Sequence, residues 1–195
     1  MKQRYVFPVM VVLSAALVMG QTAAAPGEQM APAESLNALL GVVEQQMMGA
    51  AEAMPADKYG FAPSDAIFAA SQKTNYAGVR TFGGLIIHVA QANYGLGGAI
   101  SGIKPDVDTA SLANVKDKDK VIEALRGSFA FVHKAISAVT PENAFESVRS
   151  RLPVPMTRTT LAAFVVVHIG DEYGQMVEYL RMNGIVPPAS AKRPS

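Results

Sequence analysis

Four long segments of this 195-residue chain repeat their apolar positions every three or four residues, which is the spacing of one helix face. The pattern predicts helices over about residues 34–54, 76–96, 116–139 and 157–183. No segment of any length alternates apolar and polar residues as a half-buried strand does. Helices of roughly 20 residues are about 30 Å long, the proportions of a four-helix bundle. The sequence therefore predicts an all-α fold.

The predicted helices are bounded by residues that stop helices. They are followed by Pro55, by Gly97-Gly98, by Thr140-Pro141, and by Gly184 with Pro187-Pro188. The connections over residues 55–75, 97–115 and 140–156 are long for a compact domain, and crossover connections or short extra helices would account for them. In the first connection, Tyr59 and Phe61 are candidates to clamp one end of the bundle.

The first 25 residues have the composition of a secretory signal peptide. Lys2 and Arg4 precede an apolar run, and small residues ending at Ala25 follow it. The run has roughly 16 residues, fewer than the roughly 20 that a membrane-spanning helix needs, so we expect a cleaved signal rather than a retained anchor. We therefore expect a signal peptide over residues 1–25, a single domain over residues 26–195, and export to the periplasm or the medium.

Charge and cysteine content exclude several classes of function. The chain has 17 basic and 16 acidic residues, and residues 1–25 contain two of the basic ones, so the rest carries a net charge of −1. This balance argues against a nucleic-acid partner. The absence of cysteine excludes disulfides, thiolate metal sites and cysteine nucleophiles. Stability must come from packing, with or without the help of a metal.

A histidine and a carboxylate lie four residues apart in the apolar stripe of the last helix. His168 and Glu172 project from one face of that helix, and His88 lies beside the stripe of the second helix. Two imidazoles and a carboxylate would give a divalent metal three protein ligands and leave room for a water. The alternative is structural: His168 and Glu172 form an i, i+4 ion pair, and His88 is a core histidine with its hydrogen bonds satisfied.

Two motifs resemble the DinB-like family of bacterial proteins, named for damage-inducible protein B. They are RTFGGLIIHVAQANY at residues 80–94 and HIGDEYGQMVEYLRMNGIVPP at residues 168–188. Segments around Tyr59 and Ser128 are also similar to family segments, and the resemblance covers nearly all of the mature chain. It implies a four-helix bundle with long crossover connections and a metal site at one end.

The resemblance also implies a ligand set. One histidine of the second helix matches His88, and the first histidine of an H-x-x-x-H pair on the fourth helix matches His168. The third position is Glu172, where the family pattern usually has histidine. Glutamate is a competent ligand, so the expected metals are zinc, nickel, iron or manganese. The alternative is that the substitution marks a weakened or lost site.

Two functions of different classes follow. The first is a metal-dependent hydrolase or transferase acting on a small molecule, as some similar proteins are. The second is a non-catalytic exported bundle that binds a small ligand or a protein partner, with a degenerate or structural metal site. The sequence does not decide whether the protein is an enzyme, and it leaves a homodimer through exposed helix faces open.

The remaining polar candidates each have a functional and a structural interpretation. Asp171 is either an acceptor for the His168 ring or a solvated residue, and we interpret His133 as structural or exposed. Asn93, Tyr94 and Tyr173 either line the mouth of a substrate site or pack in the interior.

Overall fold

The computed structural model describes residues 26–191, and its helices form the predicted all-α bundle. The helices are α1 (Pro32–Ala53), α2 (Phe82–Ser101), α3 (Lys118–Ile136) and α4 (Arg158–Met182). Within the described residues, the sheet structure is a single antiparallel pair, β1 (Ser147–Val148) with β2 (Met156–Thr157). The main helix contacts join α2 to α3 and α4, and α1 to the same two helices. α2 and α4 are therefore neighbours in the bundle.

The predicted signal peptide and residues 192–195 lie outside the described residues, so the proposed domain bounds remain predictions. Between residues 26 and 191, none of the helices combines the length and the apolar character needed to cross a membrane.

The core follows the predicted apolar stripes closely on α3 and less closely on α1. All five stripe residues of α3 are fully buried, namely Val121, Leu125, Phe129, Val132 and Ile136. On α1, Leu40 and Met47 are fully buried, but Leu39, which the apolar spacing of this helix also places in the predicted stripe, is 50% exposed. α2 buries residues on most of its circumference because it packs between α3 and α4.

The predicted bounds of α2 were wrong at both ends. The helix begins after Thr81, whose hydroxyl accepts a hydrogen bond from the Gly84 N–H at 3.1 Å, and residues 76–80 are not helical. At the other end it passes through Gly97-Gly98 and stops at Gly102, which has a left-handed φ of 76°. A Cβ on Gly97 would lie 3.0 Å from a Phe131 ring carbon, so this glycine permits close helix packing rather than ending the helix.

The predicted clamp by Tyr59 and Phe61 is confirmed. The Tyr59 hydroxyl donates to the Ala51 carbonyl at 2.7 Å, and the Phe61 ring meets the Tyr179 ring edge to face. The Tyr59 and Phe61 carbonyls accept hydrogen bonds from Gly83 and Phe82 at 2.9 and 2.8 Å. The first amides of α2 are thus satisfied, and the clamp joins α1, α2 and α4 at one end of the bundle.

Two polar contacts fix α4 against the two ends of α2. At one end, the Arg158 guanidinium donates to the Ile100 carbonyl and to Glu146 Oε2. At the other end, the Tyr179 hydroxyl donates to the Arg80 carbonyl at 3.1 Å. The relative register of the two helices is therefore determined on both sides of the segment that carries His88 and His168.

Candidate metal centre

The packing of α2 against α4 brings the three predicted ligand residues together. His88 Nε2 and His168 Nε2 are 3.2 Å apart, and Glu172 Oε1 lies 3.4 Å from the first and 3.9 Å from the second. Within residues 26–191, these residues are the one group of three or more histidines and carboxylates that is spaced to hold a metal ion. The predicted set therefore converges on a single point between the two helices.

The spacing of the three atoms fits a divalent transition metal in size. A point in their plane equidistant from all three lies about 2 Å from each, and zinc bonds to imidazole nitrogen and carboxylate oxygen are about 2.0–2.2 Å long. Imidazole nitrogen is a suitable ligand for zinc, iron and nickel, and carboxylate oxygen is also a suitable ligand for manganese. The donor set therefore agrees with the predicted group of metals.

The same atoms do not make a good hydrogen-bonded cluster by themselves. Glu172 is only 4% exposed, and its closest polar contacts are His88 Nε2 and Gln175 Nε2, both at 3.4 Å. The i, i+4 distance to His168 is 3.9 Å, beyond hydrogen-bonding range. A buried carboxylate with contacts this long is costly unless a cation compensates it. The geometry thus favours a cation over the simple i, i+4 ion pair.

Burial sets the protonation of the centre. It lowers the pKa of both His88 and His168, and the positive charge of Arg80 lowers both further. Burial raises the pKa of the Glu172 carboxyl, while Arg80 opposes that shift. Metal binding requires neutral imidazoles, so the lowered histidine pKa values keep the two nitrogen lone pairs free near neutral pH.

Neighbouring side chains on α4 orient the ligands, and one side of the centre is open. The Phe164 ring stacks on the His168 ring, and Gln175 donates to Glu172 Oε2, the oxygen that does not face the imidazoles. The side chains of His168 and Glu172 are 17% and 6% exposed, whereas that of His88 is 32% exposed. His88 is therefore the ligand residue that is most accessible to solvent.

The other candidates lie outside the centre or act on it only by charge. Asp171 is exposed, and no hydrogen bond joins it to His168 among the described contacts. Asn93 is fully buried and donates to Ser128 Oγ at 3.1 Å, and Tyr94 packs on Phe131. Tyr173 packs against the core. Asn93 and Tyr94 are therefore interior residues, and Tyr173 is partly buried.

His133 is structural, as predicted. Its ring nitrogens lie 2.7 Å from Asn37 Oδ1 and 2.9 Å from Glu44 Oε2, which joins α3 to α1. Sequence reasoning missed the role of Arg80, which acts electrostatically on all three residues of the centre. Its position just before the N-cap of α2 was the available signal.

Comparison with known proteins supports the resemblance noted from the motifs. No curated protein matches the chain. A family model described as the DinB superfamily matches residues 39–176, which include most of the bundle and all three residues of the centre. Because this match spans most of the chain and agrees with the helical fold and the His/His/Glu cluster, the chain belongs to the DinB superfamily.

Proposed function

We propose that this is an exported metal-binding protein that holds one divalent transition metal through His88 Nε2, His168 Nε2 and Glu172 Oε1. The observation that carries the proposal is the convergence of these three atoms at 3.2–3.9 Å from one another. Membership of a superfamily whose members commonly bind metals supports it. Export rests on the composition of residues 1–25.

The reaction that fits this centre best is metal-dependent hydrolysis or group transfer on a small molecule. A bound divalent ion supplies Lewis-acid chemistry, which polarises an electrophile and favours deprotonation of a nucleophile. The three protein ligands leave part of the coordination sphere for a substrate, as in catalytic rather than structural sites.

The chain's own residues contribute orientation and access. Phe164 packs against the His168 ring and forms an apolar wall beside it. Gln175 holds the second oxygen of Glu172, so that Oε1 stays directed at the imidazoles. The partial exposure of His88 leaves an approach from solvent for the substrate.

Elemental analysis of the mature protein tests the proposal. The protein should be purified from the exported fraction without a metal-binding affinity tag. We expect about one equivalent of zinc, nickel, iron or manganese, absent from His168→Ala and retained by His133→Ala, because His133 is bonded to Asn37 and Glu44 elsewhere in the bundle. Protein that arrives metal-free and takes up none of the four metals would refute the proposal.

The second candidate function is that of a non-catalytic bundle with a degenerate metal site. It is favoured by Glu172, which stands where the DinB-like pattern usually has histidine. Metal binding by the variant Glu172→His distinguishes the two candidate functions. If the variant binds metal strongly and the natural protein does not, the degenerate-site function replaces the first. If the natural protein already binds metal tightly, glutamate is a working ligand and the first function stands.

A further inference from the structure

Arg80 lies immediately before the Thr81 N-cap of α2, at one end of the seam between α2 and α4 that contains the metal centre. Its Cβ is 3.6 Å from the position that a Cβ would occupy on Gly84, and Gly84 is one helical turn before His88. Gly84 has no side chain, and the Thr81 hydroxyl oxygen, 3.0 Å from the same position, is the other side-chain atom close to it. The Arg80 backbone is fixed from the other helix by the hydroxyl of Tyr179, two turns after Glu172.

The Arg80 guanidinium is exposed, and none of the described residues forms an ion pair or a side-chain hydrogen bond with it. An arginine that lies at the seam between α2 and α4, where its carbonyl is bonded to Tyr179 two turns after Glu172, and whose donors are not used within the fold is positioned to bind something that enters the site. Guanidinium is well suited to planar two-point recognition of carboxylate and phosphate.

The N-terminus of α2 does not compete for this role. The Phe82 and Gly83 amides are bonded to the carbonyls of Phe61 and Tyr59, and the Gly84 amide is bonded to the Thr81 hydroxyl. A helix N-terminus attracts anions through its unsatisfied amides, and these three are occupied. Arg80 is therefore the group at this end of α2 with donors for an anion.

Building on the proposed function, we infer that Arg80 binds an oxyanion group of the substrate, a carboxylate or a phosphate, while the reacting group lies on the open His88 side of the centre. The substrate class is thus a small molecule with an anionic group a few bonds away from its electrophilic atom. Neutral molecules with the same reacting group would lack this anchor. Arg80 would then be a substrate-binding residue that determines specificity, distinct from the metal ligands.

Anion titrations of the cobalt(II)-loaded full-length mature protein test this inference through its visible absorption bands. The probes are succinate, 3-phosphonopropionate and propionate, of which the first two have a second anionic group that can reach Arg80. The variants are Arg80→Gln, Arg80→Lys and Arg126→Gln. Arg126 is a matched control because it is an exposed arginine on α3, paired with Glu52 at 3.5 Å.

We expect Arg80→Gln to weaken the binding of succinate or 3-phosphonopropionate by about 10- to 100-fold, which is the range for a hydrogen bond to a charged group. The dissociation constant of propionate should not change. Whichever of the two probes responds more strongly identifies the anion as carboxylate or phosphate. Arg80→Lys should fall between wild type and Arg80→Gln, and Arg126→Gln should match wild type.

Two results would overturn the inference in distinguishable ways. If cobalt binds but Arg80→Gln leaves all three dissociation constants unchanged, or weakens propionate equally, the anion anchor is refuted and the proposed function stands. If wild-type protein takes up neither cobalt nor zinc, nickel, iron or manganese, the proposed function fails and the anchor fails with it.

Discussion

Two clusters of histidine and glutamate lie between helices of this bundle, and they differ in how their polar atoms are satisfied. Between α1 and α3, His133 has an acceptor within 2.9 Å of each ring nitrogen. Between α2 and α4, the contacts among His88, His168 and Glu172 are 3.2–3.9 Å long. Both clusters contain histidine and glutamate, but the contacts of the first are within normal hydrogen-bonding distance and those of the second are longer.

The difference lies in which atoms face each other. In the α1–α3 cluster, the imidazole separates the Asn37 amide from the Glu44 carboxylate, so ring nitrogens meet oxygen acceptors. In the α2–α4 cluster, two imidazole nitrogens and one carboxylate oxygen converge, and all three are potential electron-pair donors. A histidine with two close partners stabilises a fold, whereas converging lone pairs prepare a site for a cation.

The largest expected effect comes from neutralising one glutamate in each cluster. Glu172→Gln should weaken zinc binding by at least about 100-fold, because even residues behind a metal ligand contribute about 10- to 100-fold. Glu44→Gln removes the same charge and should leave zinc affinity unchanged. Competition with a chromophoric chelator measures both. Equal affinities for the two variants would show that Glu172 is not a ligand.

The next effect is stabilisation of the folded protein by the metal. Zinc at about 100 times its dissociation constant adds about 2.7 kcal/mol to the free energy of unfolding. For a domain of this size, that raises Tm by roughly 5–10 °C. Differential scanning calorimetry should show the rise in wild type and in His133→Ala, but not in His168→Ala. A rise that persists in His168→Ala would place the stabilising zinc elsewhere.

The helical fold was predictable from periodicity, but the ends of α2 were not. Gly97 was taken as the end of the helix, yet it is buried beneath Phe131 of α3, a contact that becomes visible only once the helices are packed. The segment before Phe82 was assigned to the helix, yet the carbonyls of Tyr59 and Phe61 cap α2 at Phe82. In both cases a tertiary contact overrode the local sequence signal.

The identity of the candidate ligands was predictable, whereas their environment was not. The i, i+4 spacing and the family motif pointed to His168 and Glu172, and the motif pointed to His88. Spacing along one helix cannot reveal that Glu172 Oε1 lies closer to His88, on another helix, than to His168. Nor can it reveal the partners of His133, which come from α1. Cross-helix distances depend on packing.

A smaller effect, of opposite sign in the two clusters, is expected on the stability of metal-free protein. Burial raises the pKa of Glu172, so its charged form is unfavourable there, and Glu172→Gln should raise the free energy of unfolding by about 1 kcal/mol at neutral pH. Glu44→Gln weakens a partly exposed hydrogen bond to His133 and should lower the free energy of unfolding by about 0.5–1 kcal/mol. Urea denaturation in the presence of a chelator measures both. Changes of the same sign would remove the proposed distinction between the clusters.

The smallest expected effect is the pH dependence of zinc affinity near neutrality. Two histidines with an ordinary pKa of about 6.5 would weaken binding by about tenfold between pH 7 and pH 6, because protons compete for their lone pairs. Burial lowers the pKa of both His88 and His168, so both stay neutral further into the acid range and the loss should be clearly less than tenfold. The steep loss should begin only at lower pH, where protonation of Glu172 adds to it, since burial raises the pKa of that carboxyl. Zinc titrations at several pH values, with His133→Ala as the control, measure the profile. A full tenfold loss between pH 7 and pH 6 in both proteins would mean that His88 and His168 compete with protons as ordinary histidines do, which would contradict the lowered pKa of the two buried imidazoles.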